Sequence, residues 1–342
     1  MRNKLFIVIL ISLIVFVIPS LIGLLYERKT TEILVSEWIT IRPPGEVSAL
    51  LEQGNIIWAG GRDGVFAVHR LSGEVLYKLE DEKPFRYVRA LLLDENGRLL
   101  IGHSSGVTFY DGKNFITYSQ EDGLPASSVT CLLLDQHNNL WVGTFNGAAR
   151  LENGRLISFT EDDGLIVNMV NVIFEDSGGG LWFGSSVAPR GGLSYLKNDQ
   201  WQYFTTAEGL PHNNINILAE DAAGGIWVGT GFYTQGGAAR LIAADGENWL
   251  VEKTFTVKDG LPGDKVRSIY HDRYSNLWFG TEYHGLAKVS GDNVELFSIQ
   301  QGLADLEVKV FLEDSSGNLW LGTHNGINFI GQGLWEMPVK GK

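Results

Sequence analysis

The 342-residue chain reads as all-β: a seven-bladed β-propeller of four-stranded antiparallel blades, preceded by one N-terminal transmembrane helix. Three observations carry that reading. A strand motif ending in glycine returns seven times, a second motif keeps the same irregular step, and 42 glycines accompany 10 tryptophans, 11 tyrosines and 17 phenylalanines. So much glycine would break long helices, and without a three-residue period it does not make collagen. Aromatic richness excludes a flexible linker, so the glycine belongs to tight turns between short, packed strands. One cysteine excludes a disulfide framework and a cysteine-ligated zinc site, and a net charge of −13 argues against nucleic-acid binding.

The N-terminal element comes first. Arg2 and Lys4 precede a run without charge from Leu5 to Tyr26, long enough to cross one bilayer. Its small residues, Ser12, Ser20 and Gly23, lie inside the apolar run, with Leu24-Leu25-Tyr26 after them, which fits an uncleaved anchor better than a cleaved signal. Residues 1–30 are therefore expected to form a signal anchor and 31–342 a propeller outside the cytoplasm, periplasmic or at the cell surface. Arg28 and Lys29 beyond the far end pull against this orientation. A long domain after a single N-terminal anchor is nonetheless normally exported, and a lone Cys131 is compatible with an oxidising compartment.

The repeats follow. Asn139-Leu-Trp-Val-Gly-Thr144, Leu181-Trp-Phe-Gly184, Ile226-Trp-Val-Gly-Thr230, Asn276-Leu-Trp-Phe-Gly-Thr281 and Asn318-Leu-Trp-Leu-Gly-Thr323 are one motif, with weaker copies at Ile57-Trp-Ala-Gly60 and Leu100-Ile-Gly102. The seven glycines lie 42, 41, 41, 45, 51 and 42 residues apart by subtraction. A second marker, Asp122-Gly-Leu-Pro125, Asp163-Gly-Leu165, Glu208-Gly-Leu-Pro211, Asp259-Gly-Leu-Pro262 and Gln301-Gly-Leu303, has glycines 41, 45, 51 and 42 apart. Two markers in step define one unit of about 40–45 residues, the size of a propeller blade.

Within a unit, turn residues separate four strands. Val129–Asp135 is strand a, Leu140–Thr144 strand b, Ala148–Leu151 strand c and Arg155–Thr160 strand d, joined by loops of hairpin length. No amphipathic helical stretch competes, so a helical solenoid is excluded. For ring closure, Glu37–Arg42 reads as the outer strand of the last blade and is preferred to the alternative at Leu334–Met337, because it shields both terminal edges.

The string Asp-Gly-Leu-Pro, a Val-rich strand, Glu-Asp-Ser-x-Gly-Asn-Leu-Trp-x-Gly-Thr and Asn-Gly resembles the two-component regulator propeller repeat family. Residues 301–326 are especially similar, and the likeness extends over about 35–335. The resemblance implies an extracytoplasmic ligand-binding sensor module of a membrane-spanning histidine kinase. This chain holds one propeller without a kinase, so the expectation is a sensor-type propeller feeding a signalling partner, with no kinase activity of its own.

Strands alternate in direction, so the b–c loops and d–a crossings share one face. Most b–c loops are short, but Gly184–Gly192 and Gly229–Gly237 are eight-residue steps carrying Arg190, Phe232 and Tyr233. Tyr283, His284 and His324 lie in other b–c loops. The first position of strand a is always Val or Ile, and the second is always polar: Ser48, Arg89, Thr130, Asn171, Asn216, Arg267 and Lys309. Strand a lines the axis of a propeller, so these side chains predict a polar ring at the channel mouth. Convergent polar groups in a concavity suit a small-molecule or glycan ligand, or an envelope or membrane signalling protein. The bland reading is a solvated rim and loop drift.

Chemistry is not expected. The seven histidines show no metal-ligand spacing, and no phosphate loop occurs. Asp176-Ser-Gly-Gly179, Asp221-Ala-Ala-Gly224 and Asp314-Ser-Ser-Gly317 are read as turns, not calcium loops. Arg150 and Arg240, recurring on strand c, are read as cover for the blade surface. No cofactor or metal is therefore assigned. Two alternatives stay open: a metal-assisted enzyme resembling streptogramin lyases, using His284 or His324, and a pure protein-interaction scaffold.

Overall fold

The computed structural model describes residues 38–80, 84–244 and 248–335. The expected anchor over 1–30 lies outside them. Among the described residues no helix is long and apolar enough to cross a membrane. All the strands belong to one compact unit beginning at Ile39.

That unit contains seven sheets of four antiparallel strands. Blades 1 to 6 span 49–79, 90–118, 129–159, 172–204, 215–255 and 266–297, and blade 7 joins 308–330 to Ile39–Ile41. In blade 3 the strands are Val129–Leu134, Leu140–Thr144, Gly147–Glu152 and Arg155–Phe159, close to the expected bounds. Inner strands touch all the way round, including Ala49–Gln53 of blade 1 against Val308–Glu313 of blade 7, and the ring is closed.

The N-terminal strand is the outer strand of blade 7: Ile39, Thr40 and Ile41 pair with Phe329, Asn328 and Ile327. Leu334 and Trp335 do not compete for that edge. Trp335 instead is buried beside Trp278 and Tyr274, and its indole donates to Gly317 O at 3.1 Å.

Two motif positions explain how blades join. A Cβ on the strand-b glycine would collide with the apolar residue at the entrance to the next inner strand: Val88 at 2.5 Å from Gly60, Val129 at 2.7 Å from Gly102, Ile215 at 2.6 Å from Gly184. Those apolar residues also stitch blades together, since Val88 N donates to Gly61 O, Val170 N to Thr144 O and Ile215 N to Ser185 O. The strand-b tryptophans pack toward the next blade, Trp141 on Phe183 and Trp227 on Phe279. Each indole N–H in blades 3 to 7 donates to the aspartate six residues earlier, at 2.8–3.0 Å. The same aspartates accept backbone N–H groups of the a–b turn, so their oxygens serve the turn. Blade 2 has Leu100 where the indole would be. A cavity of about 130 Å³ lies there, lined in part by Leu100, Phe109, Leu134, Leu140 and Leu151.

The Asp-Gly-Leu string is a cap, a stop and an anchor. Ser119, Thr160, Thr256 and Ser298 open single 3-10 turns closed by reciprocal bonds to Asp122, Asp163, Asp259 and Gln301. The following glycines end the turns at φ 107–116°, a conformation natural only to glycine, and the leucines after them are buried.

Candidate functional site at the channel mouth

The b–c loops and d–a crossings meet on one face, as alternation requires. They are bonded to each other there: Tyr87 N to Arg62 O, Ser104 N to Arg86 O, Glu282 N to Lys265 O and His324 N to Glu307 O.

The second position of strand a stands apart from the ladder for a backbone reason. In blades 3, 5, 6 and 7 the register with strand b slips across it, from Val129 to Cys131, Ile215 to Ile217, Val266 to Ser268 and Val308 to Val310. The skipped residues are Thr130, Asn216, Arg267 and Lys309. In blades 1, 2 and 4 the strand starts one residue after Ser48, Arg89 and Asn171. Bulges of this kind re-aim a side chain out of the pleat.

The seven polar side chains then divide. Thr130 is buried and donates to Val170 O at 2.6 Å. Asn171 donates to Ile215 O at 3.0 Å, and Asn216 to Gly231 O at 3.1 Å. These three tie backbone together. Ser48 donates to Glu46 at 3.3 Å. The three cations enter a charged group: Lys309 Nζ lies 2.8 Å from Glu46 and 3.5 Å from Glu307, and Arg267 Nε lies 3.4 Å from Glu307 and 3.8 Å from Glu282. Arg89 lies over the Phe145 ring at 5.0 Å.

Sequence reasoning missed Glu46, Lys265, Glu282 and Glu307, because they fall outside the repeated strand-a position. Lys265 pairs with Glu282, and Glu307 gathers Arg267, Lys309 and His324 although it is itself buried. A signal was present: Lys265 and Glu307 sit two residues before the polar position, on the crossings that form the mouth.

The electrostatics follow from the packing. Burial works to raise the Glu46 carboxyl, but the hydrogen bond and charge of Lys309, with Ser48 and His324, hold it below its ordinary range. Burial likewise acts to raise Glu282, and bonds from Lys265 and Tyr283 with the charge of Arg267 bring it below. The Glu282 carboxylate pushes the Tyr283 hydroxyl up to about 12. Burial and then the charge of Arg267 lower Arg89.

The remaining predicted residues lie on the loops. Arg190 is exposed on the long loop of blade 4. The long step of blade 5 is a paired extension, with Phe232 opposite Gln235, so Phe232 and Tyr233 stand at the tip of a hairpin arm, ring centres 4.2 Å apart. Lys265 lies 5.8 Å over Phe232. His284 Nδ1 faces Glu282 O at 3.1 Å, while His324 Nδ1 faces Glu307 at 3.4 Å, so the two histidines are turned to separate partners. Among the described residues no group of three or more His, Cys, Asp or Glu side chains is gathered to hold a metal ion. Cys131 is half-buried, and the packing around its thiol pushes it up to about 12, which makes it inert.

Arg150 and Arg240 do cover blade surface. Arg150 lies 5.2 Å over Trp141, and Arg240 binds Asp221 and Glu252 at 2.6 Å each.

Comparisons with known proteins agree with this architecture. The extracellular domain of the hybrid two component system BT3049 from B. thetaiotaomicron superposes with a TM-score of 0.72 at 21% identity over 86% of this chain, which spans 40% of that domain's length. Virginiamycin B lyase from Staphylococcus aureus, in an inactive form with quinupristin, gives 0.66 at 14% identity, covering 86% of this chain and 98% of the lyase. YCF48 bound to D1 peptide gives 0.64 at 11% identity, covering 86% and 96%. At these identities the likeness establishes the fold alone. No curated protein matches the sequence. The two component regulator propeller family matches residues 123–146, 164–186, 209–232, 260–283 and 302–325. Each match runs from a crossing glycine through strands a and b into the next b–c loop, so the chain carries five repeats of the two component regulator propeller type.

Proposed function

We propose that this propeller is the ligand-recognising part of an extracytoplasmic sensing system, and that it passes occupancy to a signalling partner without performing chemistry. The observation that carries the reading is the run of five two component regulator repeats. The likeness to an extracellular two component domain and the apolar segment within residues 1–30 support a membrane-held propeller outside the cytoplasm. The ligand site is the channel mouth, where charged side chains from blades 1, 2, 6 and 7 converge beside exposed aromatic loops. Thr130, Asn171 and Asn216 frame it, and Arg190, Phe232, Tyr233, Tyr283, His284 and His324 form its rim.

The test is a thermal-shift screen of sugars, small metabolites and peptides on the full-length protein in detergent. A ligand should raise the melting temperature, and Arg89→Ala with Arg267→Ala should remove that rise. Binding unaffected by both changes would place the site elsewhere.

A second reading, a lyase, draws on the lyase-like fold and on His324 beside Glu307 at the mouth. It predicts metal-dependent turnover lost on His324→Ala.

A further inference from the structure

Four cations and three carboxylates form the charged group at the mouth: Arg89, Lys265, Arg267 and Lys309 with Glu46, Glu282 and Glu307. The group thus carries one net positive charge in a chain of net charge −13. Its partners are shared unequally. Lys265 is clamped on Glu282, and Lys309 on Glu46. Arg267 Nε lies 3.4 and 3.8 Å from its carboxylates, and Arg89 lies against an aromatic ring. Arg89 is exposed at the mouth, where the charge of Arg267 acts on it. Like charges facing one opening with incomplete neutralisation are stabilised by an entering anion, and planar guanidinium forks suit an oxyanion.

The surroundings narrow the class. Tyr87, Phe145, Phe232, Tyr233 and Tyr283 are 42–68% exposed on this same face. Tyr87, Tyr233 and Tyr283 have φ of 50°, 54° and 73°, a left-handed backbone that is costly for a bulky residue. Strain of this kind persists where surrounding structure imposes it, and it collects at binding loops. Phe145, held open to water beside Arg89, offers a flat apolar contact next to an anion contact.

We infer that the channel mouth takes a ligand bearing a carboxylate on a ring with an apolar face, the carboxylate at the arginines of the mouth and the ring face on the exposed aromatic side chains. This rests on the ligand-binding reading above and adds the chemical class. The chemistry is shared by sugar acids and aromatic acids.

Calorimetric titration of the full-length protein in detergent with an oligoglucuronate, its methyl ester and benzoate separates the outcomes. At least one acid should bind, more weakly at high salt, while the ester should bind at least about tenfold more weakly. Binding of oligoglucuronate alone identifies a sugar acid, and of benzoate alone an aromatic acid. Arg89→Ala, which removes no ion pair of the network, should weaken binding by at least about tenfold at unchanged melting temperature. Equal binding of acid and ester, or no effect of Arg89→Ala, overturns the anion assignment while ligand recognition stands. If neither acid binds but neutral compounds do, the class is wrong. If nothing binds at this face, the ligand-binding reading falls with it.

Discussion

Asp221 shows how much of this fold rests on single side chains. Its carboxylate accepts the backbone N–H groups of Ala223 and Gly225, the indole of Trp227 and the guanidinium of Arg240. Burial alone would raise its pKa, but Arg240 and the turn N–H groups bring it down to about 2, from an ordinary 3.8. Because the folded value is depressed, this stabilisation is complete above the unfolded value and is lost as pH falls from about 4 towards 2. The wild-type protein should lose about 2 kcal/mol more than Asp221→Asn across that window in urea unfolding. Parallel pH profiles would show that the carboxylate is not the acid-sensitive group. The glutamate just before this aspartate acts between blades: Glu175 accepts from Gln136, and Glu220 from Ser177. The recurring Glu-Asp pair is thus one inter-blade clasp and one turn brace, which is why it repeats.

At the level of the element, the informative blade is the one that breaks the pattern. Blade 2 keeps the turn aspartate, Asp94, but has Leu100 in place of tryptophan, and Arg98 binds Asp94 at 2.6 Å where an indole N–H would otherwise donate. The cavity of about 130 Å³ beside Leu100 is also lined by Asp94, Asn96, Arg98 and Asn138. Cavities of this kind forfeit dispersion contacts, and filling one without strain stabilises. Leu100→Trp should therefore raise unfolding free energy by about 1 kcal/mol. A lowered melting temperature would mean that Phe109 and Leu140 cannot move aside and that the cavity is too small for the indole.

For the whole molecule the decisive contact is between the chain's ends. Ile39–Ile41 covers the edge of Gly326–Ile330, and Ile41 is buried against blade 7 and its neighbour. An open ring would leave that edge free to pair with another chain. Thr40→Pro, in the middle of a strand paired only at Ile39, Thr40 and Ile41, should weaken that pairing and cost about 1 kcal/mol. It should also produce concentration-dependent association in sedimentation experiments. A monomer of unchanged stability would show that the ring holds without its N-terminal strand.

The sequence by itself determined the seven blades, their strands and the shared face of loops and crossings. Those features arise from local turn chemistry and from contacts repeated in every unit, so Gly60 and Val88 or Asp221 and Trp227 leave the same trace at each blade. It also marked the second position of strand a as polar, though not why that position faces the channel. Only the tertiary structure decided that. The bulge that skips Thr130, Asn216, Arg267 and Lys309 is a property of pairing, and Asn171 turns out to tie two blades together because of where Ile215 O lies. The charged group draws Glu46, Arg89, Arg267 and Glu307 from blades far apart in the chain. No period records such a meeting, because a site built from different residues on different blades breaks the repeat that made the fold legible.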